Sequence, residues 1–187
     1  MLTMTPHSLP TQRGATLIEV LVSILLLALG VLAMAAMQAN AVQYGKVSEF
    51  RSVATLLAND LADRMRANHP GDQDMSAYNL TAAYSRPTTS PALPKVQCDV
   101  TQPCQFADMA AYDLAQWLQN VYQQLPEGTA YVSVAPNSSQ QYAADIWVAW
   151  TDPASASSSD STPNVDSCPT GFKQPATVRC MYFHVVL

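Results

Sequence analysis

The chain has 187 residues, enough for one globular domain and an anchor. Charged residues make up 12% of it and the formal net charge is −5. No block of Lys or Arg occurs anywhere, so nucleic acid is excluded as a partner, because neutralising phosphates takes several basic side chains.

The first fourteen residues, MLTMTPHSLPTQRG, are polar, and the apolar run comes after them. A secretory signal peptide has the reverse arrangement, with its cleavage site beyond the apolar region. From Val20 to Met37 no residue is charged, and only Ser23 and Gly30 interrupt the apolar side chains. About 18–20 residues at 1.5 Å each span a hydrocarbon core of about 30 Å. Glu19 sits just inside the start of this run. A carboxylate in lipid costs on the order of 2.5–3.5 kcal/mol at a helix centre and less near an end, so Glu19 calls for a function and a partner.

The order Arg13-Gly14-Ala15-Thr16-Leu17-Ile18-Glu19, followed by the apolar run, resembles the type IV prepilin signal. That resemblance implies cleavage by a prepilin peptidase between Gly14 and Ala15, with the apolar segment kept as the anchor. It implies N-methylation of Ala15, although the family usually has Phe or Met there. It also implies that the Glu19 carboxylate pairs with the free amino group of a neighbouring subunit's first residue. A single-span anchor whose Glu19 snorkels to the headgroups is the plain alternative, but it leaves Arg13-Gly14 unexplained.

Beyond Asn40 the pattern becomes amphipathic. Phe50, Val53, Leu57, Leu61 and Met65 recur at spacings of three and four, which marks one apolar helix face. Asn68-His69-Pro70-Gly71 supplies stop signals. The spacing predicts one helix over about Thr16 to Asn68, roughly 80 Å long. Pro70 to Pro103 is broken by Pro87, Pro91 and Pro94 and reads as a loop crossing the domain surface. Asp72, Asp74 and Asp99 do not follow a calcium loop and read as solvated.

A second helix is expected from about Gln105 to Gln124, burying Phe106, Ala110, Leu114, Trp117, Leu118, Val121 and Leu125. Asp113 is expected to be a helix-surface carboxylate or to bond locally, with a polar contact specific to this domain as the other reading. The run from Cys104 to Trp117, followed by Leu125-Pro126-Glu127-Gly128, resembles the middle of PilV-type minor pilins of the type IV pilus modification family. Three strands are expected over Thr129–Ala135, Ala144–Thr151 and Val178–Leu187; the first puts Val132 and Val134 on one face, the second alternates Ile146, Val148 and Trp150 against Trp147 and Ala149, and the third is β-branched and aromatic. Pro136–Ser139 makes a turn, and Asp152–Thr177, rich in Ser and Pro, a long exposed loop.

Cys98, Cys104, Cys168 and Cys180 all follow the anchor, and their even number fits disulfides in an oxidising compartment. Of three possible pairings, Cys98–Cys104 and Cys168–Cys180 close the shortest loops. Their spacings fit no standard zinc pattern. Arg13 favours a cytoplasmic N-terminus, which would place the rest in the periplasm. There is no Gly-rich phosphate loop and no G-x-S-x-G turn, and His7, His69 and His184 are isolated, so no enzyme, metal or cofactor is expected.

The expected fold is α+β and pilin-like: a long N-terminal helix packed on a small antiparallel sheet, with an additional helix before the sheet. The expected division is a leader over residues 1–14, a membrane and filament-core helix over 15–38 and a periplasmic globular domain over 39–187. The resemblance implies a minor pilin that works with prepilin peptidase, other minor pilins, the major pilin and the inner membrane to initiate a type IV pilus. A type II secretion minor pseudopilin and a pilus-borne adhesin are the rival readings.

Overall fold

The computed structural model describes residues 14, 16–68, 75–95, 104–136, 142–152 and 168–187. Its elements are α1 (Leu17–Ala67), a short 3-10 turn (Met75–Tyr78), α2 (Phe106–Gln124), β1 (Thr129–Pro136), β2 (Tyr142–Thr151) and β3 (Val178–Val186). The chain divides into two compact units, Met1–Val42 and Gln43–Leu187. This is the α+β, pilin-like layout: a long first helix, a second helix and a three-stranded antiparallel sheet in the order β1-β2-β3.

In the first unit, α1 is apolar and every described side chain from Leu17 to Val42 is exposed. An 18-residue window of the helix has a mean hydropathy of 2.8, so it is long and apolar enough to cross a membrane.

In the second unit, α1 buries Ala54, Leu57, Ala58, Leu61, Ala62 and Met65. Leu57, Leu61 and Met65 form the expected row. Ala54, Ala58 and Ala62 lie beside it at the same spacing, and their small side chains allow a close approach of the neighbouring layer. Phe50 and Val53 sit at the margin, partly buried. Ala110, Leu114, Trp117 and Val121 of α2 join the same core, as do Ala130 and Val132 of β1 and Ala144, Ile146, Val148 and Trp150 of β2. These strand residues alternate, which sets one sheet face against the helices and leaves Tyr131, Trp147 and Tyr182 on the other.

The segment before α2 departs from the expected surface loop. Met75 and Tyr78 are fully buried in the core. Leu80 and Val132 exchange backbone hydrogen bonds of 2.8 and 2.9 Å, and Asn79 Oδ1 accepts from Val134 N at 2.7 Å. Prolines downstream break regular structure, but a four-residue 3-10 turn needs no long run, and it brings in two large apolar side chains. Strand and helix ends shift by small amounts: β2 starts at Tyr142 rather than Ala144, and α1 starts at Leu17. The predicted turn at 136–139 lies mostly outside the described residues, as do 153–167 of the predicted long loop.

The turn after α2 has a clear physical origin. Leu125 N donates to Val121 O at 3.1 Å and Gly128 N to Leu125 O at 3.0 Å. A Cβ at Gly128 would lie 2.1 Å from Val121 O, so only glycine fits. Glu127 has φ of 52°, the left-handed region. Its side chain accepts from Thr151 Oγ1 at 2.7 Å and from Arg86 Nε at 2.9 Å, tying the turn to the end of β2. The Arg86 and Thr151 bonds hold the Glu127 carboxyl below its usual range.

Candidate functional site

Two regions carry chemistry that the core does not need. The first is the start of α1. Thr16 O accepts from Glu19 N at 3.0 Å and from Val20 N at 3.2 Å, which opens the helix. Glu19 lies in the first turn, exposed, where the helix dipole favours a carboxylate. Ser23 Oγ donates to Glu19 O at 2.7 Å, so the one polar side chain in the following run is satisfied within its own helix. Gly14 is exposed, and a Cβ built there meets nothing within 4 Å. Nothing in the described part of this chain demands glycine at that position. Ala15 lies outside the described residues.

The second region is the outer face of the sheet. Tyr131, Trp147 and Tyr182 are register partners across the three strands. Their rings lie 5.5 and 5.0 Å apart, centroid to centroid. Phe172 extends the row from Tyr131 at 5.9 Å, with Tyr84 5.5 Å beyond it. Phe172 is 2% exposed, while Tyr182 at the other end is 43% exposed. Beside the row, Asp145 Oδ1 accepts from Tyr182 Oη at 2.7 Å and lies 2.8 Å from His184 Nδ1. The bond to Asp145 raises the Tyr182 phenol, which loses a stabilised hydroxyl donor on ionising.

Cys168 and Cys180 are joined, with Cα atoms 5.1 Å apart, and the loop they close holds Phe172 against the outer face. Cys104 is also disulfide-bonded, and Cys98 lies outside the described residues. Asp152, fully buried at the end of β2, is ion-paired with Arg179 of β3 and donates its backbone N–H to Thr177 O. His69, Asp72, Asp74 and Asp99 lie outside the described residues. Among the described residues no three His, Cys, Asp or Glu side chains converge.

Asp113 corrects the sequence reading. It is 9% exposed and bonds across the fold, not locally. Its Oδ2 accepts from Tyr78 Oη at 2.8 Å, and its Oδ1 faces Arg64 Nη1 at 3.5 Å. Arg64 also donates to Asp60 and, at 2.7 Å, to Gln116 Oε1, while Asn68 Nδ2 donates to Tyr78 Oη. The network links α1, the 3-10 turn and α2. Trp117 Nε1 adds a second tie, donating to the Leu57 carbonyl at 2.7 Å. Both are structural.

Residues 36–115 match the family model described as type IV pilin Tt1218, and residues 9–35 match the prokaryotic N-terminal methylation motif. The two matches adjoin, the motif ending where the pilin model begins. The chain is a type IV pilin. No curated protein and no solved structure matches it. The pilin match covers the second half of α1, the core-entering turn and the first half of α2, including Asp113. It stops short of the sheet, so the outer aromatic face and the Cys168–Cys180 loop of this pilin lie outside both matches. Sequence reading singled out Glu19 and the cysteines and gave that face no role. Its alternation in β2, with Trp147 and Ala149 opposite Ile146, Val148 and Trp150, was the signal that pointed there.

Proposed function

We propose that this pilin is a minor pilin of the PilV-like kind, matured by prepilin peptidase and acting with other minor pilins in the complex that initiates a type IV pilus. The observation that carries this reading is the adjoining pair of matches, a methylation motif followed by a pilin model, on a helix whose first half is apolar and fully exposed. The PilV-like assignment is supported by the Cys104-led helix and the Leu125-Pro126-Glu127-Gly128 turn. On this reading residues 1–14 are a leader removed after Gly14, and Ala15 carries the new, methylated amino group. Residues 15–38 form the membrane and filament-core helix. Residues 39–187 form a periplasmic domain, with Arg13 holding the N-terminus in the cytoplasm before cleavage.

Assembly follows from Glu19. When apolar helices pack together the carboxylate leaves water and needs a positive partner. The amino group of a neighbour's Ala15 meets that need and sets the axial register. Burial of Leu17 to Met37 supplies the driving force. The test is Glu19→Ala. The variant is expected to be cleaved, to reside in the membrane and to be absent from sheared surface pili. Wild-type levels in the sheared fraction would end the charge-pair reading. Deleting the gene and scoring surface pili and secreted proteins in one strain separates the pilus role from a secretion pseudopilin.

A further inference from the structure

β3 is an edge strand of the sheet. The direction of its backbone groups follows from one hydrogen bond. Leu187 N donates to Tyr142 O at 2.9 Å. In an antiparallel ladder alternate residues turn both backbone groups toward the partner strand. Stepping by two from Leu187, residues Val185, Phe183 and Met181 face β2, so Val186, His184 and Tyr182 direct N–H and C=O away from the sheet. An independent contact agrees: Arg66 Nη2 reaches Val186 O at 3.2 Å from outside the ladder.

Edges of natural sheets are commonly blunted by Lys, Pro, a bulge or a covering segment. From Tyr182 to Leu187 the sequence is YFHVVL, with neither Lys nor Pro. β3 pairs with β2 in unbroken register. Among the described residues no strand covers its outer side. The exposed side chains of Tyr182, His184 and Val186 line the same stretch. At Cys180, which is 3% exposed, the accessible stretch ends.

The neighbouring face adds charge selection. Asp145 Oδ1 takes both Tyr182 and His184, and among the described residues Oδ2 has no partner. The rings of Trp147 and Tyr182 lie next to it. Aromatic faces beside a carboxylate attract a cation. An added strand would lie about 10 Å, two strand spacings, from β2. A Lys or Arg side chain crosses that gap by running along Tyr182. A second copy of this chain supplies no such group from its own β3. That strand has no lysine, and its one arginine, Arg179, is ion-paired with Asp152.

We propose that the β3 edge at Tyr182 to His184, short of Val186 whose carbonyl Arg66 already holds, is a docking site for an extended segment of a partner protein, which adds as a fourth strand and places a Lys or Arg beside Tyr182 and Asp145. Backbone hydrogen bonds hold the segment, and the Asp145 carboxylate selects its charge. The net charge of −5 favours a basic partner at longer range.

The test uses the full-length protein in detergent micelles and two seven-residue Thr/Val peptides, one with a central Lys and one with a central Glu. Amide hydrogen exchange is read residue by residue. Without peptide, the amides of Tyr182 and His184 should exchange much faster than those of Met181 and Phe183. The Lys peptide should slow Tyr182 and His184 by about tenfold or more at saturation, and the Glu peptide by about threefold at most. Asp145→Asn should remove the difference between peptides. His184→Pro should abolish protection while keeping the ladder to β2, because that N–H points outward. Unchanged exchange with the Lys peptide overturns the proposal. So does equal protection by both peptides. Protection that grows with protein concentration in the absence of peptide assigns the edge to a second copy and overturns it as well.

Discussion

Asp113→Ala tests whether the buried polar network holds the helices together. Tyr78 is fully buried, and its hydroxyl donates to Asp113. Asn68 donates to that same oxygen, so it cannot replace the lost acceptor. A buried donor left without an acceptor costs about 1–3 kcal/mol. Arg64 loses less. Its side chain is 23% exposed, its contact to Asp113 is 3.5 Å long, and it keeps Asp60 and Gln116. That loss adds under about 1 kcal/mol. The expected total is about 1–4 kcal/mol. Asp113→Asn retains an oxygen for Tyr78 and should cost about 1 kcal/mol. Trp117, Trp147 and Trp150 all lie in the second unit, so tryptophan fluorescence in urea follows its unfolding without signal from the apolar helix. With a slope of about 2 kcal/mol/M, the midpoint should fall by about 0.5–2 M. In a double-mutant cycle with Tyr78→Phe the coupling should be about 1–2 kcal/mol. A cost below about 0.5 kcal/mol, or additive behaviour of the two substitutions, would refute the reasoning.

Three further outcomes are expected. Gly128→Ala should cost about 1–3 kcal/mol, since its Cβ would meet the Val121 carbonyl at 2.1 Å; an unchanged urea midpoint would contradict the close approach. Burial pushes the Tyr78 phenol well above its usual 10, so the unfolded chain ionises first, and stability held below pH 10 should decline as the pH rises above it. Tyr78→Phe should reduce that decline by up to about 1.4 kcal/mol per pH unit, and identical profiles above pH 10 would count against it. If the chain is cut after Gly14 as proposed, Gly14→Val should leave full-length precursor in membranes, although a Cβ there meets nothing in the described chain; normal shortening on a gel would refute the cleavage site.

Sequence alone was enough for whatever depends on local order along the chain. The Arg13–Glu19 signature, the uncharged run and the helix period from Phe50 to Met65 all depend on near neighbours. So do the alternating strands and the stop at Leu125–Gly128. A side chain's face follows from its spacing, which is why Leu57, Leu61, Trp117 and Val121 were legible as core. The outcome differed where the partner lies far along the chain. Asp113 sits on α2 like any surface carboxylate, and only the fold brings it Tyr78 and Arg64, 35 and 49 residues away. Trp117 meets the Leu57 carbonyl across 60 residues. Met75 and Tyr78 stand in a proline-rich stretch with no period to mark them, and their burial depends on the gap that α2 and β1 leave. The open edge of β3 was likewise invisible, because strand order belongs to the sheet and not to any one strand. Local periodicity tells a residue which way to face, and tertiary structure decides what it finds there.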